Sequence, residues 1–71
     1  MDAVEIVLEG ALYRCYPTRR EASEEEEKYI VAGVGSLTLM RATGAIVTVA
    51  PVFANGHRKL EALAPLIHAA A

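Results

Sequence analysis

Residues 2–9, DAVEIVLE, alternate: Val4, Ile6 and Leu8 fall on one side, with Glu5 and Glu9 on the other beside Val7. A period of two residues is that of a strand buried on one face. Gly10 permits a tight turn, and alternation resumes over residues 11–16, ALYRCY, with Leu12, Arg14 and Tyr16 opposite Tyr13 and Cys15. Together they predict a first hairpin or one long bent strand.

Pro17-Thr18 closes that unit, and the pattern then changes. Thr18-Arg-Arg-Glu21 and Ser23-Glu-Glu-Glu26 both have the capping-box form, in which a hydroxyl accepts from a backbone amide three residues on while a glutamate reaches back. A short acidic helix is one expectation and an acidic loop the other. At helical spacing Glu25 and Glu26 stand where a core-facing stripe needs apolar residues, so a helix here has almost no face to bury. Glu24 is spaced to pair with Lys28 if the helix forms. Charge runs are generally solvated, and the glutamates at 24–27 are read that way; their sharper use would be docking a basic partner.

From Tyr29 onward β-branched and apolar residues dominate. Residues 29–41, YIVAGVGSLTLMR, predict one long strand or two short ones interrupted at Gly33-Val-Gly35, where the glycines mark a bulge or a close backbone approach. Ala42-Thr43-Gly44 is the turn, and residues 45–54, AIVTVAPVFA, return as the second arm of an antiparallel hairpin. Strict alternation puts Ala45, Val47, Val49 and Phe53 on one side and Ile46, Ala50 and Val52 on the other, with Thr48 the one polar residue among them. Both sides therefore expect cover. Pro51 has no amide hydrogen and places this strand at a sheet edge or near its own end.

Asn55-Gly56 ends the strand, and residues 57–71, HRKLEALAPLIHAAA, form the one well-patterned amphipathic helix, with Leu60, Leu63, Leu66 and Ile67 spaced to cover a sheet. Pro65 removes one helical hydrogen bond and disfavours helical geometry at Ala64, which predicts a kink or a break. The expected fold is α+β: one domain, residues 1–71, with a small antiparallel sheet of three to five strands, curved or barrel-like, a C-terminal amphipathic helix, and room for a short acidic helix after the first hairpin.

Composition sharpens the question of what covers the sheet. A chain of 71 residues buries only about 60% of its unfolded surface. One cysteine, Cys15, precludes an intrachain disulfide, and without a signal-like start the chain reads as intracellular, with a cytoplasmic location expected. Yet 54% of residues are apolar and the mean hydropathy is +0.28, more oil than one small core absorbs. Arg41 and the threonines at 38, 43 and 48 interrupt the hydrophobic second half, so no membrane span and no membrane partner are expected. One helix covers one face, and the other needs a second subunit, the preferred expectation, or closure into a small barrel. The candidate oligomer interface is Ile46, Val47, Val49, Val52 and Phe53.

Chemistry is sparse. No metal site or cofactor is expected, since Cys15, His57 and His68 do not supply a zinc-ligand spacing and no phosphate-loop or dinucleotide motif is present. No catalytic residue is assigned: Cys15 sits mid-strand among aromatic residues, where a lone cysteine behaves as a small hydrophobe. The local anomaly is His57-Arg58-Lys59, cations at a helix start where they oppose the dipole but, with free amides, can hold an anion. Arg19-Arg20 is a second basic spot. The net charge of −2 gives no general attraction to nucleic acid. A chain without glutamine and with a single asparagine, Asn55, fits a thermophile's avoidance of labile amides. The expected function is a non-enzymatic interaction or adaptor module that self-associates through an apolar β-sheet surface, as homodimer or higher, and joins a larger assembly with another protein. The alternative is an anion or nucleic-acid binder using His57, Arg58 and Lys59.

Overall fold

The computed structural model describes residues 2–71. Five strands, β1 (Val4–Leu8), β2 (Ala11–Thr18), β3 (Glu26–Val31), β4 (Gly35–Met40) and β5 (Ile46–Pro51), precede one helix, α1 (Gly56–Ala70). The strands form one antiparallel sheet in the order β1-β2-β3-β4-β5, each paired with its sequence neighbour.

Turn chemistry explains the meander. Glu9 and Gly10 adopt φ values of 51° and 80°, the mirror-image turn whose twist suits a two-residue hairpin, and they bring Leu8 opposite Ala11. The predicted hairpin is thus formed, with Val4 opposite Cys15 and Ile6 opposite Tyr13. Between β3 and β4 the Gly33 segment makes a tight turn, and Gly35 at φ 149° lets β5 approach: a side chain there would collide with the Ala50 carbonyl and lie 2.7 Å from Pro51 Cα.

The acidic segment forms turns rather than a helix. Glu21 takes a positive φ of 58°, which interrupts helical geometry. Ser23 and Glu26 do complete half a capping box, the Ser23 amide donating to Glu26 Oε1 at 2.9 Å, but around a single turn. Glu26 and Glu27 then enter β3, where period two lets each find a partner that period 3.6 would deny it. Lys28 consequently bridges to Glu21, at 3.3 Å, instead of Glu24.

Helix α1 packs on the sheet with Leu60, Leu63, Ala64 and Ile67 buried against Ile6, Cys15, Tyr29, Val31, Leu37 and Leu39. Leu66, expected on that stripe, is 39% exposed. The helix runs through Pro65 without the expected break. The proline lies on the exposed side, where the Glu61 carbonyl deprived of its donor can meet water, while buried neighbours hold the turn.

α1 touches β1 at one sheet edge and β4 and β5 at the other more than it touches β2 or β3. In a flat sheet those edges would stand about 19 Å apart, beyond the reach of one helix about 10 Å across. The sheet therefore curls around the helix, yet β1 and β5 do not pair, so it is an open sheet rather than a barrel. The concave side is the core, and among the described residues no helix covers the convex side.

Candidate interaction surface

Strand register determines which residues reach the convex side. Glu5 faces Arg14, Val7 faces Leu12, Tyr16 faces Ile30, and Ile30 faces Ser36, which in turn faces Ala50. Side chains of directly paired residues project from the same face. Val7, Leu12, Tyr16 and Ile30 are 66%, 55%, 41% and 48% exposed, so four large apolar side chains from three strands stand in water on one face. A shallow trough of about 390 Å³ crosses it, lined among others by Ile30, Ala32, Ser36, Ala50 and Val52. The Glu5–Arg14 pair crosses this band between Leu12 and Tyr16, and Lys28 borders it beyond Ile30. Arg14 Nε lies 3.2 Å from Glu5, and the Lys28 stem, largely covered, lies beside Thr38, itself buried in the middle of the sheet.

The residues of β5 do not share one face. A bulge shifts the register between Thr38 and Leu39: Thr38 pairs with Thr48 and Leu39 with Ile46, which leaves Val47 as the extra residue. Simple alternation fails there. Val49 faces Leu37 and packs half-buried against the core, so it belongs to the concave side. Ile46 and Val47, 43% and 45% exposed, flank the bulge, and Val52 and Phe53, 64% and 68% exposed, follow the end of β5. Sequence reasoning omitted Val7, Leu12, Tyr16 and Ile30. Their signal was present in the alternation of the first hairpin, where apolar residues occur in both phases.

The basic helix start is less free than its sequence suggests. His57 Nδ1 is 3.2 Å from Glu61 Oε1, and Lys59 Nζ sits 5.7 Å from the centre of the Tyr13 ring, a cation–π contact. Arg58 has neither kind of partner among the described residues. The Asn55 side chain makes no capping hydrogen bond, and no acidic residue lies in the first turn. Arg19 and Arg20 lie in the turn after β2, on the far side of a strand whose Tyr13 meets Lys59.

At that far end a concavity of about 560 Å³ opens between Pro17, Ser23, Glu27, Tyr29, Arg41 and Ala71. Its polar groups satisfy one another. Arg41 donates to the Glu24 and Glu26 carbonyls at 3.2 and 3.0 Å and to Glu27 at 3.3 Å, while the Tyr29 hydroxyl donates to Glu27 at 3.0 Å. Burial first, then the bond to Glu27 and its charge, pushes the Tyr29 phenol up to about 12. Thus Glu27, read from sequence as solvated, is an anchor with its side chain only 15% exposed. Cys15 is fully buried and burial raises its thiol, the opposite of what a nucleophile needs. Among the described residues no group of three or more His, Cys, Asp or Glu side chains is placed to hold a metal ion. Nor, among the described residues, is any helix long and apolar enough to cross a membrane.

Comparison with protein-family models, with curated proteins and with solved structures finds no match for this chain.

Proposed function

We propose that this protein is a non-enzymatic interaction module that self-associates through the uncovered face of its sheet and serves as an accessory subunit of a larger assembly. One observation carries the reading: Val7, Leu12, Tyr16 and Ile30 form an exposed apolar band on the convex face, continued by Val52. Large exposed apolar side chains gathered on one face of a small domain mark interaction surfaces. The band combines aliphatic residues and a tyrosine with the Glu5–Arg14 pair, which lies between Val7 and Leu12 on one side and Tyr16 and Ile30 on the other, while Lys28 stands beyond Ile30. Covering it would return to a 71-residue chain the apolar burial that its length denies it.

Ile30→Asp tests this reading. The side chain projects from the middle of the sheet on the convex face, so the substitution opens no cavity in the core while placing a carboxylate in the centre of the contact. The expected result is a folded protein by circular dichroism whose assembly mass, by light scattering, falls below that of the unmodified chain. An unchanged mass would contradict the reading.

A further inference from the structure

We infer that strand β1 is a second, separate joint, at which two copies of the chain pair edge to edge across a two-fold axis to make one continuous ten-stranded sheet. This goes beyond the convex-face contact and does not depend on it.

The two sheet edges are built differently. β5 carries the bulge at Val47 and ends in Pro51, two devices that blunt a strand against pairing. β1 carries neither. In a two-residue hairpin the residues flanking the turn form a hydrogen-bonded pair, so Leu8, Ile6 and Val4 bond to β2, while the amides and carbonyls of Val7 and Glu5 point away from the sheet. Among the described residues no other hydrogen bond reaches them.

The sequence of β1 fits itself in one antiparallel register. Centring the axis on Ile6 places Val4 opposite the partner copy's Leu8 on the concave side and Glu5 opposite the partner copy's Val7 on the convex side. Those Glu5 and Val7 positions are the ones with free backbone groups, so each copy both donates and accepts. Shifting the axis to Glu5 sets the two copies of that carboxylate face to face, a register penalised by like charges directly opposite, and shifting it to Val7 runs Glu5 past the end of the strand into the Glu9 turn, which shortens the ladder. A shift by a single residue would place convex-side residues opposite concave-side ones.

The helix lends a second contact to the same joint. Lys59 leans over Tyr13 on β2, and His68 packs on the opposite flank, against the Gly44 turn. Seven residues on from Lys59, Leu66 returns to nearly the same bearing, with Ala62 and Ala69 beside it. This flank of α1 therefore faces the β1 edge. Leu66 is 39% exposed there, beside small residues that would let the helix of a second copy approach. Edge pairing thus brings together two strands and two apolar helix flanks, an isologous contact in which each copy offers the same surface.

The test separates the two joints by working in the Ile30→Asp background, which closes the convex face. Sedimentation equilibrium there should give twice 7.6 kDa. Val7→Lys should tighten this dimer and Val7→Glu loosen it, each by about tenfold, because each change creates two cross-strand pairs with Glu5, of opposite sign. Val7→Pro, which removes an outward amide the monomer does not use, should give 7.6 kDa. A background protein that is monomeric at all concentrations, or Lys and Glu variants that move together or not at all, would overturn the edge joint and leave the convex-face reading standing. Failure of that reading shows instead as an Ile30→Asp mass equal to the unmodified one, and the Val7 series still decides the edge. An extended peptide of another protein as the natural occupant would likewise leave the pure background chain monomeric.

Discussion

Glu27→Ala should cost this protein far more than Glu24→Ala, although both residues belong to one run of four glutamates. Glu24 is exposed, and its side chain makes no hydrogen bond or ion pair among the described residues, so its removal should move stability by less than about 0.5 kcal/mol. Glu27 accepts the Tyr29 hydroxyl at 3.0 Å and meets Arg41 at 3.3 Å. A hydrogen bond to a charged group contributes about 1.5–3 kcal/mol. The Arg41 side chain is 58% exposed, so that pair adds no more than about 1 kcal/mol. The expected loss of about 2–3 kcal/mol compares with a total stability of roughly 4–10 kcal/mol for a chain of this size. Urea unfolding at fixed protein concentration measures it, the fixed concentration being needed because self-association stabilises the folded state.

A second readout belongs to the same site. Tyr29 ionises near 12 in the folded protein against 10 for an ordinary tyrosine. Its contribution is therefore full below pH 10 and is lost as pH rises from there, by about 1.4 kcal/mol per unit and about 3 kcal/mol in all. Burial is the largest cause, with Glu27 second, so the variant should keep part of the shift and titrate, by ultraviolet absorbance, between the two values. A Glu27→Ala protein as stable as Glu24→Ala, with an unmoved tyrosine titration, would refute the assignment of Glu27 as an anchor.

Leu37 is fully buried, and Leu37→Ala should lower stability by about 2–5 kcal/mol in the same urea assay. Gly35→Ala should destabilise by more than about 1 kcal/mol, since the new methyl meets the Ala50 carbonyl and its φ of 149° suits only glycine. Pro65→Ala should raise the melting temperature by restoring the donor to Glu61 within an otherwise regular helix, a gain of about 1–3 kcal/mol. Phosphate should raise the melting temperature no more than sulfate or than it does for Arg58→Ala with Lys59→Ala, because Lys59 is engaged with Tyr13 and His57 with Glu61; an increment lost in that double variant would instead favour the anion-binding reading.

Most strands and the final helix were legible because each has a clear period and ends near Gly, Pro or Asn signals, whereas β3 begins at Glu26, ahead of the apolar run at Tyr29. Three features were not. The capping-box spacing at 23–26 is shared by a helix start and a single turn, and only the β3 partners of Glu26 and Glu27 decide between them. The bulge at Val47 leaves no mark in a run of β-branched residues, so the face of Val49 could not be assigned from alternation alone. The exposed apolar residues Val7, Leu12, Tyr16 and Ile30 lie outside the most apolar strand, and their convergence on one face depends on the pairing of three strands. Sequence alternation gave their side of each strand; only the register assembled them into one band.

The most direct test of the account is the mass of the unmodified protein in solution. Light scattering at micromolar concentration should give at least twice 7.6 kDa, because the convex face cannot stay in water at little cost. A stable monomer of 7.6 kDa across the concentration range would contradict it.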